Sequence, residues 1–219
     1  MADANASASL DRQTVVEVGC RLVERIGAKA LTMRALAEEL GVSPMAAYRH
    51  VPSKSALLLL MANEMMARVK VPHQDAGSWD VRLQLVERAA FAELSKAPDL
   101  WDLVPSDAIY PEQERLSGAV MDILLEAGFD PRRAALAHEL FFAYVLGQLR
   151  MRQQLSARPV RRARRTRDAE SKPRRGGAAA AGARIAGFDE YFDFGLRVLL
   201  NGLRAEVETT GALESGITS

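Results

Sequence analysis

The sequence predicts an all-α protein, with a small three-helix N-terminal head followed by a larger helical body. Three observations carry this expectation. Apolar residues recur at three- and four-residue spacing in successive stretches from Leu10 to Val207. Residues 31–51 read as two short helices joined by a tight turn. The chain has 219 residues, 48% hydrophobic and 26% charged, which is enough for one small and one larger domain with a buried core.

Residues 1–9 lack periodicity and are expected to form a mobile tail. A first helix is expected from Leu10 to about Gly27, with Val15, Val18, Leu22 and Ile26 as its apolar stripe. Cys20 on this helix reads as a small core or boundary residue. Thr32 is a good N-cap for the second helix, with Leu31 and Leu36 placed as a hydrophobic staple. Leu36, Ala37 and Leu40 then share one face, and Gly41 supplies the left-handed stop. Ser43 caps a third helix whose first residue is Pro44, where a missing N–H does no harm. That helix carries Met45, Ala46, Tyr48, Arg49 and His50, and Val51-Pro52 ends it. The arrangement is a helix-turn-helix. Its second helix, about 10 Å long at 1.5 Å per residue, suits a DNA major groove about 12 Å wide.

Ser53 caps a fourth helix expected to reach Val69. Lys54 lies in its first turn, where a cation opposes the helix dipole. A phosphate lying across that end would explain it; a solvated surface lysine is the plainer alternative. Residues 70–78 read as a loop between head and body. Ser78 is placed as the cap of a fifth helix from Trp79 to about Lys96. Val81, Leu85, Ala89 and Ala92 lie on one face, widened by Leu83, Val86, Ala90 and Leu94. Residues 99–104 have room for one helical turn, and 105–110 read as loop. Pro111 opens a helix to Ala127, stopped by Gly128. Asp130-Pro131 opens a long helix to about Leu155, apolar nearly all round from Leu136 to Leu149, so it is expected to be buried on more than one side.

Periodicity is lost over residues 156–186, expected to be a disordered basic loop. Within it, residues 156–177 hold nine of the 29 basic residues and two of the 28 acidic ones, leaving 20 basic against 26 acidic elsewhere. The net charge of +1 is therefore a mildly acidic protein with a basic insert, which is either a solvated linker or a DNA-facing element. A final helix spans about Phe188 to Val207, with one stripe through Phe188, Phe192, Gly195, Leu199 and Leu203 and a second through Tyr191, Phe194 and Val198. Two stripes need two neighbours, one of them expected to be the same helices of a second chain. Ala143, Gly147, Phe192, Gly195 and Leu199 are the candidate dimer contacts. Residues 209–219 are expected to be a polar tail.

The pattern from Thr32 and Arg34 through Leu36-Ala37, Leu40-Gly41-Val42-Ser43, Tyr48-x-His50-Val51 and Lys54 to Leu57-Leu58 resembles the DNA-binding domain of the tetracycline-repressor (TetR) family of bacterial regulators. The resemblance covers about residues 10–57. It implies a helical homodimer whose head, residues 10–57, binds double-stranded operator DNA. It also implies a body, residues 78–208, that binds a small-molecule effector and dimerises. On matching positions it places Thr32 and Arg34 beside the groove, Pro44, Met45, Ala46, Tyr48 and His50 on the recognition helix, and Lys54 on the DNA backbone. Met33, Met45 and Ala46 are apolar where several relatives carry a hydroxyl.

The residues themselves suit those roles. Arg34 can fork onto a guanine edge or a phosphate, and Met45 and Ala46 can meet thymine methyls. Tyr48 and His50 carry polar tips that suit phosphates, and Arg49 suits either base or phosphate. The bland alternatives are a half-buried ring for Tyr48 and a helix-end charge for His50. With the two N-caps Thr32 and Ser43 and with Met33, these are the candidate DNA-binding residues. Pocket candidates in the body are Trp79, Phe91, Trp101, Tyr110, Phe129, His138, Phe141, Phe142 and Tyr144, each of which can equally fill core. No phosphate loop, zinc spacing or nucleophile elbow is present, so neither an enzyme nor a metal or organic cofactor is expected. One cysteine, no signal peptide and no long apolar run fit a cytoplasmic protein with no membrane partner. The expected function is a ligand-released repressor on a palindromic operator. The rival is a DNA-packaging protein that uses the basic loop.

Overall fold

A computed structural model describes residues 10–105, 110–157 and 187–216. Among these residues the secondary structure is helical throughout, in eight α-helices. They are α1 (Arg12–Ile26), α2 (Met33–Leu40), α3 (Pro44–His50), α4 (Lys54–Ala67), α5 (Trp79–Leu94), α6 (Pro111–Glu126), α7 (Pro131–Ala157) and α8 (Phe188–Gly216). A single 3₁₀ turn, Gln74–Ala76, lies in the link between α4 and α5. The expected tail at 1–9 and nearly all of the basic segment 156–186 lie outside the described residues.

The head forms where local sequence punctuates the chain. The Asp11 carboxylate accepts the Thr14 N–H at 2.7 Å and starts α1, and that bond holds its carboxyl below the usual range. Thr32 Oγ1 accepts from Ala35 N–H, Ser43 Oγ from Ala46 N–H and Ser53 Oγ from Ala56 N–H, so three successive helices start on the expected caps. Gly41 adopts φ +67° and closes α2, a conformation that costs other residues more. The helices close over Val15, Leu22, Leu31, Leu36, Ala47, Leu57 and Met61. Of the expected stripe Val15, Val18 and Leu22 are buried and Ile26 is exposed; the buried arc of α1 is widened by Val16, Gly19, Cys20 and Val23, facing α2 and α4. At Gly19 a Cβ would stand 3.0 Å from Met61 Sδ, so the glycine lets α1 and α4 approach. Cys20 is fully buried and its thiol is pushed up to about 12 by desolvation, which makes it a core residue.

In the body α5 touches α4, α6, α7 and α8. Its buried arc is Leu83, Val86, Phe91 and Leu94, while Val81 and Leu85 of the expected face point outward. The arc includes charged residues, Asp80 and Arg82, which are buried because each finds a partner: Arg204 of α8 pairs with Asp80, and Arg82 pairs with Glu126 of α6. Ser78 does not cap α5; its hydroxyl donates to the Asp80 carboxylate instead. Phe192 of α8 stacks on Phe91 with ring centroids 3.9 Å apart, and Tyr144 of α7 donates from its hydroxyl to the Phe192 carbonyl at 2.8 Å.

Two expectations about the outer surface change. Phe192 is buried within the chain and cannot contact a second copy, and Gly195 faces Tyr144 of its own chain. The outward side of α8 carries Phe194 and Val198, with Leu199 half-buried beside the core. On α7 one side, Ala134, Ala137, Phe141, Val145 and Leu149, is buried. The opposite side, Leu136, Leu140, Ala143 and Gly147, is exposed or half-buried, so within one chain this helix is covered on one side only. Helix α8 also continues to Gly216, beyond the expected end at Val207 and into the expected tail.

Gly195→Ala is expected to lower stability by about 1–3 kcal/mol, because its new Cβ collides with the Tyr144 hydroxyl and ring. Chemical denaturation checks this. Adding Tyr144→Phe should recover part of the loss, since the colliding oxygen is removed.

Candidate nucleic-acid interface and body cleft

The exposed rim of α2 and α3 gathers most of the residues expected to meet DNA. Thr32, Arg34, Ser43, Pro44, Met45, Tyr48 and Arg49 stand at this rim, and Met45 is 72% open. Ala47 is fully buried and anchors α3, which turns Met45, Tyr48 and Arg49 outward. Ala46 and His50 are half-buried beside them. The Thr32 and Ser43 hydroxyls are occupied as caps. Arg34 pairs with Glu38 at 3.0 Å across an exposed helix turn, a contact of little energetic value that a phosphate or base edge can displace. Arg49 makes no ion pair among the described residues.

Two candidate residues are placed otherwise than expected. Met33 is buried at the start of α2 and its thioether joins the head core, so it does not face a groove. The signal is present in the sequence: Met33 lies three and four residues before Leu36 and Ala37, on the same buried face. Lys54 is neither free in solvent nor fully available to a phosphate. Its ammonium donates to the Leu31 carbonyl at 2.6 Å, fastening the start of α4 to the start of α2 and leaving two N–H donors.

The body holds a narrow cleft that is open to solvent at its mouth. Met66 of α4 and Val86, Glu87, Ala90 and Leu94 of α5 form one side. Gln113, Leu116, Ser117 and Val120 of α6 face His138, Phe142, Val145 and Leu146 of α7 on the other. Of the nine candidate pocket residues only His138 and Phe142 reach it. The rest are committed to packing. Trp79 meets Phe129 edge to face at 6.0 Å, and Trp101 Nε1 donates to the Leu94 carbonyl at 3.0 Å. Phe91 and Tyr144 belong to the Phe192 stack, and Phe141 and Tyr110 are buried in the core. Burial lowers the His138 pKa, favouring the neutral ring, while Glu139 opposes this. Burial alone pushes the Glu87 carboxyl up to about 7.

Helices α4 and α6, two walls of this cleft, are also joined directly. Asn63 Oδ1 accepts the Glu112 N–H at 3.1 Å, satisfying an orphan donor at the start of α6. Arg115 of α6 donates to the Met66 and Val69 carbonyls at 3.3 and 3.1 Å, closing the end of α4. Arg68, just past α4, reaches Glu24 of α1 at 3.3 Å and Glu93 of α5 at 3.6 Å. The head is therefore fastened to the helices around the cleft.

Residues 15–61 match the family described as "Bacterial regulatory proteins, tetR family", and residues 71–207 match "Tetracyclin repressor-like, C-terminal domain". The second match alone spans more than half of the chain. The chain belongs to the TetR family. Its α2–α3 unit is the helix-turn-helix of the segment that matches the family's N-terminal model. Among solved structures, a possible TetR family transcriptional regulator from Streptomyces coelicolor A3(2) is 28% identical. It superposes with TM-score 0.68 over 89% of this chain and 99% of that one. A single-residue variant of TetR from Acinetobacter baumannii AYE, solved in complex with minocycline, is 26% identical with TM-score 0.67 over 90% and 98%. Nucleoid occlusion factor SlmA of Yersinia pestis is 28% identical over 114 residues, 50% of this chain. The chain spans about 58% of the length of the curated relatives it matches. Among the described residues of this TetR-family chain, no helix is long and apolar enough to cross a membrane.

Proposed function

We propose that the protein is a ligand-responsive repressor. It binds a palindromic operator as a homodimer and is released when a small molecule enters the body cleft. The observation that carries this reading is the shared membership of α4 and α6. Both wall the cleft, they are hydrogen-bonded to each other, and α4 packs against α1 of the head. A ligand that spreads α6 from α5 pulls on α4 and changes the distance between the recognition helices of two copies. Half-sites are spaced by one helical turn of DNA or a multiple, so a shift of a few Å loses register. A hundredfold release requires about 2.7 kcal/mol of differential ligand affinity between the two states. The minocycline complex of the Acinetobacter relative supports a body that accepts small molecules. The exposed apolar sides of α7 and α8 support the second copy.

The test is protection mapping of the full chain on sheared genomic DNA at moderate salt. A discrete inverted repeat is expected. A featureless, salt-sensitive footprint would overturn the reading in favour of sequence-independent packaging through the basic segment 156–186. On the mapped operator, Arg34→Ala is expected to cost about 1–3 kcal/mol while leaving random-DNA affinity within a few-fold. A gel-shift comparison of the two DNAs reads this; an equal loss on both assigns Arg34 to phosphate.

A further inference from the structure

We propose that the cleft selects an apolar organic monocation, an amine whose ammonium pairs with Glu87. This rests on the ligand-responsive reading above and names the chemical class of the effector.

Glu87 lies on α5 and lines the cleft with 7% of its surface exposed. No hydrogen bond or ion pair engages its carboxylate among the described residues, and no neighbouring charge acts on it. The other charged residues of the buried arc of α5 have partners, Arg204 for Asp80 and Glu126 for Arg82, and exposed Arg88 is taken by Asp193. A buried carboxylate is normally paired, because leaving it bare in an apolar site costs several kcal/mol. Among the described residues nothing supplies that partner, and Glu87 lines the cleft.

The rest of the lining says which partner fits. It contains no lysine or arginine. Its polar groups besides Glu87 are Gln113 and Ser117 on α6 and His138 on α7. Met66 is what α4 contributes. His138 is biased toward its neutral form by burial, so no cation in the wall faces Glu87. An anion entering this space meets a bare carboxylate and no compensating charge. A neutral apolar molecule fills the space but leaves the carboxylate uncompensated. An amine on a hydrocarbon or aromatic body satisfies both features: its ammonium takes the carboxylate, and its body lies against Val86, Leu116, Val120 and Val145. Phe142, 41% exposed and stacked with His138, adds an aromatic ring, a group that attracts cations.

The experiment uses the full chain and three probes that share one body: 4-phenylbutylamine, 4-phenylbutan-1-ol and 4-phenylbutyrate. Each is titrated calorimetrically at pH 8, where Glu87 is mostly ionised and the amine protonated. The amine is expected to bind at least tenfold more tightly than the alcohol, and the carboxylate most weakly. Glu87→Gln keeps the shape and removes the charge. It should bring the amine down to the level of the alcohol while the alcohol changes less than threefold. Ser117→Ala, also in the wall, should preserve the order. Equal affinities for amine and alcohol, a preference that survives Glu87→Gln, or no binding of any probe each overturns the assignment. Release from operator DNA is read separately. An amine that binds with the expected preference but leaves DNA affinity unchanged sinks the ligand-responsive reading alone. An alcohol that matches the amine in binding and releases DNA sinks the charge assignment alone.

Discussion

Leu140→Glu together with Val198→Glu is expected to convert the protein from dimer to monomer and to weaken operator binding at least a hundredfold. Leu136 and Leu140 on α7 and Phe194 and Val198 on α8 stand 47% to 63% exposed in one chain. Leu136, Leu140, Ala143 and Gly147 follow one another at four- and three-residue spacing, with the small residues permitting close approach of a facing helix. In the proposed homodimer, two such helices from each copy would make a four-helix arrangement about a two-fold axis, in which a patch faces its own symmetry mate. A glutamate introduced there is placed near the same glutamate of the other copy as both lose water, so dimerisation is opposed twice. In the monomer these side chains already face solvent, so folding should change by no more than about 0.5 kcal/mol per site. The loss on DNA follows from geometry. A dimer engages its second half-site within one complex, an advantage of about 10²–10⁴ that a monomer forfeits. Sedimentation velocity reads the association state and a gel-shift titration reads the affinity. A double variant that remains dimeric would place the interface elsewhere.

The head is legible in the sequence because its signals are local. A threonine, a serine and a second serine begin helices, and a glycine at φ +67° ends one, each by a mechanism that needs no distant residue. The sides of the body helices are less legible because they depend on partners far along the chain. On α5 two apolar arcs compete, and the buried one contains Asp80 and Arg82. Hydrophobicity alone turns such an arc outward, but Arg204, 124 residues away, neutralises Asp80 and permits its burial. Phe192 reads as an outer residue for the same reason: its partner Phe91 lies on another helix about a hundred residues earlier. Glu87 gives no signal in the sequence because a glutamate between a valine and an arginine on a helix is ordinarily a solvated residue. Only the packing of the helices around the cleft shows that it is largely buried and, among the described residues, without a counter-charge.

That isolation predicts the second large effect: Glu87→Gln is expected to raise stability by about 3 kcal/mol at pH 9 and to leave it nearly unchanged at pH 4. The folded carboxyl is raised to about 7 from an ordinary 4.5, so the folded state holds its proton more tightly than the unfolded chain. Below pH 4.5 both states are protonated and the site costs only an unpaired neutral group, which glutamine reproduces. From pH 4.5 to 7 the unfolded chain releases its proton while the folded one keeps it, so stability falls as pH rises. Above pH 7 both are ionised and the whole cost of a bare buried charge is present. For a chain of this size, 3 kcal/mol corresponds to a melting shift of about 6–12 °C. Urea denaturation of both proteins at equal concentration, at pH 4, 5.5, 7 and 9, measures the difference, and subtraction removes the opposing contribution of His138. Parallel profiles would mean that Glu87 has a partner in solution and that the cleft carries no unmet charge. A gap that opens between pH 4.5 and 7 and is closed at pH 9 by saturating 4-phenylbutylamine would link the stability of the fold to the choice of ligand. The free energy lost by burying the carboxylate would then be the same free energy that a cationic ligand recovers, and that recovery is what can move a head fastened to the cleft.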